Sequence, residues 1–195
     1  GGHPGPSLSL AATLMWKADA DPRTVLADYY QASYGPAAAP MQTFFDLLED
    51  AFEAADYHTG NVFDMPHILT PELMRRLDRQ LDAAEKQAGR DSLPARRIRL
   101  TRLAQEYGKA NLAMIEDWNA CEFGKAKTEH DRAVALRDEG NALFPGLYDR
   151  IASGYLRRFW GAAVQSAFEG MENGNEIVAR LPDEWLFLLD PLNGG

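Results

Sequence analysis

The chain has 195 residues, 46% of them hydrophobic, and 29 acidic against 20 basic side chains give a formal net charge of −9. This length and composition are sufficient for one substantial hydrophobic core in one or two domains. The negative charge would repel phosphate backbones and anionic lipid surfaces, so nucleic-acid and membrane partners are not expected. The apolar runs are also too short to span a bilayer.

The single cysteine, Cys121, excludes an internal disulfide bond. A lone cysteine usually packs as a small hydrophobic side chain, so we expect Cys121 to be buried on a helix. Motifs for phosphate binding, dinucleotide binding, zinc proteolysis and nucleophilic hydrolysis are absent from the sequence.

The first helix signals lie at Asp21 and Pro22. An aspartate carboxylate can cap a helix, and proline suits the first helical position because its missing N–H would be unpaired there. The predicted helix runs to Tyr34, where Gly35 is expected at positive φ and Pro36 is expected to open the next helix.

An apolar segment precedes this helix at residues 8–17. It predicts a short helix or the end of a barrel, and Trp16 is expected to pack there.

Apolar residues at spacings of three and four predict further helices. These helices cover residues 37–55, 71–88, 93–121 and 125–144, and one or two more follow the break at Pro145 and end near residue 168. The inner faces are expected to carry Met41, Phe44, Phe45, Leu48 and Phe52 in the first, Leu73, Leu77, Leu81 and Ala84 in the second, and Leu100, Leu103, Tyr107, Met114 and Trp118 in the third.

The predicted fold class is therefore all-α, an antiparallel helical bundle with short connections and a C-terminal extended segment. Residues 1–172 form the helical domain, with a subdivision near 57–69 as an alternative. Residues 173–195 are interrupted by Pro182 and Pro191, which predicts an extended linker rather than another helix.

Three sequence segments with distinctive residue patterns follow one another along the chain. Residues 14–40 contain a tryptophan, an Asp-rich turn, a helix with paired aromatics and a Tyr-Gly-Pro-Ala-Ala corner. Residues 69–107 pass from a Thr-Pro start to an Arg-rich second helix, and residues 181–195 contain Trp-x-Phe-x-x-Asp-Pro. In this order they resemble the α-glucuronidase-like, glycoside-hydrolase-related family, whose catalytic barrel is followed by a helical region. The first match is carried by Trp16, Asp19, Asp21, Tyr29, Tyr30, Tyr34, Gly35, Pro36, Ala37 and Ala38.

The resemblance implies that the chain is an interior piece of a longer protein. An upstream barrel and a downstream β-domain, reached through residues 173–195, would be its partners within that parent chain. The parent would be a secreted or periplasmic glycoside hydrolase without a cofactor. This chain alone would supply no catalytic residue.

The loop at residues 57–69 is the candidate carbohydrate site. Tyr57 offers an aromatic face, and His58, Asn61 and His67 offer polar groups that can bind sugar hydroxyls. His58 and His67 lie nine residues apart, with carboxylates nearby. That spacing matches no established metal site, so no metal ligand is assigned.

Paired charges elsewhere indicate solvated surfaces rather than catalysis. Glu49 and Asp50 are adjacent, as are Asp138 and Glu139, so on a helix they point in different directions and cannot flank one glycosidic bond. An arginine cluster within residues 96–102 is expected to pair with acidic residues of the same chain. Its members are Arg96, Arg97, Arg99 and Arg102.

The leading functional hypothesis is a helical accessory region of a glycoside-hydrolase-like, carbohydrate-active protein, which supports a barrel and shapes one wall of a sugar cleft. The alternative is a free-standing helical interaction module that presents an acidic groove to a protein partner. A metal-dependent hydrolase would require His58, His67 and a carboxylate to converge. An exposed apolar surface beside the N-terminal segment would favour the first hypothesis, and one in a groove between central helices the second.

Overall fold

The computed structural model describes residues 5–56, 65–144 and 161–174. The predicted all-α class is confirmed, because these ranges consist of packed helices and contain no strand. The predicted extended linker lies outside the described residues from residue 175 onward. The helices are α1 (Gly5–Trp16), α2 (Pro22–Tyr34), α3 (Ala38–Glu53), α4 (Met65–Ile68), α5 (Pro71–Ala88), α6 (Leu93–Asn119), α7 (Phe123–Leu143) and α8 (Ala162–Glu172).

The predicted cap and corner of α2 are confirmed. The Asp21 carboxylate accepts hydrogen bonds from the backbone N–H groups of Arg23 and Thr24, at 3.4 and 3.0 Å. A hydrogen bond from the Thr24 hydroxyl, at 2.7 Å, and these backbone bonds lower the pKa of Asp21 because they stabilise its charged form. At the other end Gly35 has φ +52° and begins a 3-10 turn, Gly35–Ala37, which leads into α3.

One hydrophobic core lies between α2, α3, α5 and the first half of α6. The predicted seam of α5 is buried as expected. On α3 the prediction was partly wrong, because Leu47 is buried whereas Phe52, in the last turn, is 44% exposed. The buried members of this core are Tyr30, Tyr34, Ala37, Met41, Phe44, Leu47, Leu73, Met74, Leu77, Leu81, Ala84, Ala88 and Ile98.

A second, smaller core joins the other half of α6 to α7 and α8. Met114, Ala126 and Val164 contribute one buried side chain from each of these helices. The turn between α6 and α7 contains Cys121, which is only half-buried and has φ +61°. The expectation of a buried helical cysteine was therefore wrong, because α6 ends at Asn119.

Ion pairs show that successive long helices run antiparallel. Arg102 of α6 reaches back to Asp82 and Glu85 of α5, at 2.6 and 2.9 Å. Along α6 and α7, Arg99 pairs with Glu139 and Glu106 pairs with Arg132, so later residues of one helix meet earlier residues of the other. The predicted internal pairing of the arginine cluster is confirmed at Arg99 and Arg102.

Gly108 lies inside α6, where glycine stabilises a helix less than alanine does. A Cβ at this position would lie 3.7 Å from Met74 Cε, an ordinary van der Waals distance. We therefore expect Gly108→Ala to raise the free energy of unfolding by about 0.5–1 kcal/mol, because alanine restricts the unfolded chain and favours helix. Urea unfolding followed by circular dichroism measures this change. A loss of stability would mean that the contact with Met74 does not tolerate the methyl group.

Candidate functional site

A cleft of about 520 Å³ lies between the second half of α3, the short helix α4 and the start of α5. Its position follows from the packing of α3 against α5, which brings the end of one helix beside the beginning of the other. Leu47, Ala51, Ile68 and Leu73 supply apolar lining, and the polar lining residues are Asp50, Asp56, His67, Thr70, Glu72 and Arg76.

Helix α4 places His67 in this cleft. Ile68 is buried and anchors the short helix, whereas the neighbouring His67 is exposed. Backbone bonds from Leu69 N–H to the Met65 carbonyl and from Thr70 N–H to the Ile68 carbonyl, at 2.8 and 2.9 Å, close the helix. Part of the segment predicted as an irregular loop is therefore helical.

The start of α5 forms a second wall of the cleft. The Thr70 hydroxyl caps the helix by accepting a hydrogen bond from the Leu73 N–H at 3.2 Å. Glu72 accepts a hydrogen bond from Arg75 at 2.7 Å, and this bond lowers the pKa of Glu72. Arg76 also lines the cleft and adds a cationic group to a lining that contains the carboxyl groups of Asp50, Asp56 and Glu72.

The third wall belongs to α3, which is strongly acidic near the cleft. Asp46 of α3 does not line the cleft; partial desolvation raises its pKa, and the negative charge of Asp50 one turn away raises it further. Asp50 and Asp56 are exposed at the cleft. The three walls of the cleft together offer hydrogen-bond acceptors and donors beside a small apolar surface. This combination suits a polar ligand with hydroxyl groups.

Of the predicted carbohydrate-binding residues, the structure places His67 in the cleft. Tyr57, His58 and Asn61 lie outside the described residues, so their convergence with His67 remains a prediction. Within the described ranges no group of three or more histidine, cysteine or acidic side chains is placed to hold a metal ion.

Sequence reasoning missed Asp50, Thr70 and Arg76 as lining residues of the cleft. Asp50 was predicted to be solvated, and it is exposed, yet it also faces this cleft. In the sequence, Thr70 marks only the Thr-Pro start of a helix. Their common position depends on the packing of α3 on α5, and no spacing along the chain signals that packing.

A second feature is the exposed apolar surface of α1. Met15 and Trp16 are 86% and 90% exposed, and Leu8 is 62% exposed. The expectation that Trp16 packs was therefore wrong. The α1 helix packs against α2, where a Cβ on Gly5 would approach the Tyr29 hydroxyl to 2.2 Å. Trp16 is not covered by that contact.

Other large apolar side chains in the described ranges are exposed at separate places. Phe52, Leu93, Leu143 and Met171 lie on α3, α6, α7 and α8, one on each helix. By contrast, α1 presents several exposed apolar residues within one short helix. No helix in the described part of the chain has the length and apolar character needed to cross a membrane.

Comparisons of the chain with protein-family models, curated proteins and solved structures found no match.

Proposed function

We propose that this chain is the helical accessory region of a glycoside-hydrolase-like, carbohydrate-active protein. It supports an upstream barrel, and the cleft beside His67 forms one wall of a sugar-binding site. The chemistry of glycoside cleavage belongs to carboxylates of the barrel, because such enzymes place a pair of carboxyl groups across the scissile bond at the ends of barrel strands.

The observation that carries this proposal is the position of the exposed apolar surface. That surface lies on the first helix, α1, on the side of the chain where the family resemblance puts the barrel. A peptide-binding module of the helix-in-groove type needs an apolar groove between its own helices. The cleft between α3 and α5 instead carries polar or ionisable side chains at Asp50, Asp56, His67, Thr70, Glu72 and Arg76.

The cleft fits the accessory role in the sugar site. Sugar hydroxyls bind to planar polar groups, and the imidazole of His67, the carboxylate of Asp50 and the guanidinium of Arg76 supply such groups on separate walls. The sequence-predicted residues Tyr57, His58 and Asn61, which lie outside the described ranges, are expected to contribute an aromatic face and further polar groups.

We expect the isolated chain to show no glycoside turnover and to bind uronic-acid-bearing oligosaccharides only weakly. A dissociation constant in the millimolar range corresponds to about −4 kcal/mol, as expected for one wall of a site. Calorimetric titration with such oligosaccharides measures binding, and release of reducing sugar from the same samples measures turnover. His67→Ala and Arg76→Ala should abolish the binding.

The matched control is Arg90→Ala, which removes an exposed arginine outside the cleft. It should leave binding unchanged. Turnover by the isolated chain that disappears when one of its carboxylates is replaced would overturn the accessory role. The sequence of the parent gene gives a second test, because the proposal fails if no barrel is encoded upstream.

A further inference from the structure

The cleft between α3, α4 and α5 has a lining of net negative charge. It carries one guanidinium, from Arg76, and three carboxylates, from Asp50, Asp56 and Glu72. With His67 neutral, these side chains have a formal charge of −2. The lining therefore repels a ligand with a negative charge and attracts one with a positive charge.

Two of the three carboxylates have no cationic partner in the described part of the chain. Glu72 forms an ion pair with Arg75 at 2.7 Å. No ion pair among the described residues includes Asp50 or Asp56. The wall to which they belong, residues 38–56, contains no basic side chain at all. The charges of Asp50 and Asp56 are therefore available to a ligand.

The ends of two helices at the cleft act in the same direction as these side chains. α3 ends at Glu53, and the residues that follow it, Ala54 and Ala55, line the cleft beside the negative end of the helix dipole. The last turn of α3 has no basic residue to neutralise that end. The positive end of α5 also lies at the cleft, but Thr70 caps it and the carboxylate of Glu72 offsets its charge.

The size and the apolar part of the lining suit a small organic cation. A volume of about 520 Å³ falls within the usual range of small-molecule sites. Leu47, Ala51, Ile68 and Leu73 offer apolar surface to a carbon skeleton, and the polar side chains lie beside them. A ligand of this kind can contact the apolar side chains while its charge pairs with a carboxylate.

We propose that the cleft binds a sugar that carries an ammonium group in preference to a uronic acid. This inference rests on the proposed function and adds the charge class of the sugar. The ammonium group pairs with Asp50 or Asp56, and the sugar hydroxyls bind the neighbouring polar groups. The carboxylate of a uronic acid pairs with Arg76 but also lies among three carboxylates, which accounts for the weak binding expected of uronic acids.

The test titrates the 195-residue chain with three sugars of matched size and follows the NMR chemical shifts of the cleft residues. Glucose, glucuronic acid and 6-amino-6-deoxyglucose differ only at C6, which carries a hydroxymethyl, a carboxylate or a primary ammonium group at pH 7. The amino sugar should bind about five-fold or more tighter than glucuronic acid, and added salt should weaken its binding. Equal or tighter binding of glucuronic acid would overturn the inference and leave the cleft as a sugar site. If none of the three sugars binds, the sugar site itself is wrong.

Variants of the cleft should respond with opposite signs to the two charged sugars. Asp50→Asn should weaken binding of the amino sugar by about two- to five-fold. Arg76→Ala should strengthen it while weakening binding of glucuronic acid. Asp28→Asn removes the same charge on α2, outside the cleft, and should change neither affinity. Weaker binding of both sugars to Arg76→Ala would contradict recognition by charge.

Butylamine separates the ammonium group from the sugar. It carries the same charge without hydroxyl groups, so it should bind more weakly than 6-amino-6-deoxyglucose. Equal binding would assign the cleft to any ammonium group, such as that of a lysine side chain, and would overturn the sugar as the ligand.

Discussion

Leu77→Ala is expected to lower the free energy of unfolding by about 2–5 kcal/mol, because it removes a buried side chain and leaves a cavity. Leu77 lies in the middle of α5 and is 0% exposed in the core shared with α2, α3 and α6. The cleft is built on the same packing of α3 against α5. Loss of this core should therefore loosen the cleft as well as reduce stability. Urea unfolding monitored by circular dichroism gives the change.

Leu143→Ala provides the control for side-chain truncation. Leu143 is the last residue of α7 and is 40% exposed, so its replacement should lower the free energy of unfolding by less than about 0.5 kcal/mol. Equal effects of the two substitutions would contradict the assignment of Leu77 to the centre of the core.

Gly35→Val is expected to destabilise the domain by about 1–3 kcal/mol, the usual cost of forcing a residue into a sparsely populated backbone region. Gly35 has φ +52° and ψ −119°, a conformation that a β-branched residue avoids. Pro94 Cγ would lie 3.9 Å from an added Cβ, so backbone strain and not a clash accounts for the effect. The melting temperature measured by calorimetry should fall accordingly.

Gly124→Ala is the control for Gly35→Val, because it replaces a glycine at a position without backbone strain. Gly124 lies in the first turn of α7, and its Cβ would meet the Phe168 ring at 3.8 Å. This substitution should be neutral or slightly stabilising. An unchanged melting temperature for Gly35→Val would show that the corner accepts a side chain after all.

Much of the helical architecture could be predicted because its signals are local. Asp21, Thr70 and Ser92 each accept a hydrogen bond from the first turn of the following helix, and a proline follows each of them within two residues. The leucine seam of α5 has a strict helical period, and the structure buries it.

The errors concern residues whose burial depends on distant parts of the chain. Trp16 has a large apolar side chain of the kind that usually packs in a core, but no described element covers it. Phe52 fits the periodic pattern of α3, yet it is exposed in the last turn. The last two turns of α6, residues 112–119, contain no glycine or proline, so no residue there marks a sharp end of the helix before Cys121.

The position of the cleft could not be predicted from the sequence, because its walls come from separate helices. His67 was singled out because it lies in an aperiodic segment, but its neighbours Asp50 and Arg76 come from two different helices. Periodicity places each of them on its own helix. It contains no information on which helices then pack together.

Hydroxyl-radical footprinting of Met15 and Trp16 tests the accessory role most directly. Oxidation of each residue is followed by mass spectrometry in the isolated 195-residue chain and in the full-length parent, with exposed Met171 as the internal reference. Both residues should oxidise rapidly in the isolated chain and several-fold more slowly in the parent, because the barrel covers α1 there. Equal oxidation rates in the two proteins would contradict the account, since α1 would then remain in water in the complete protein.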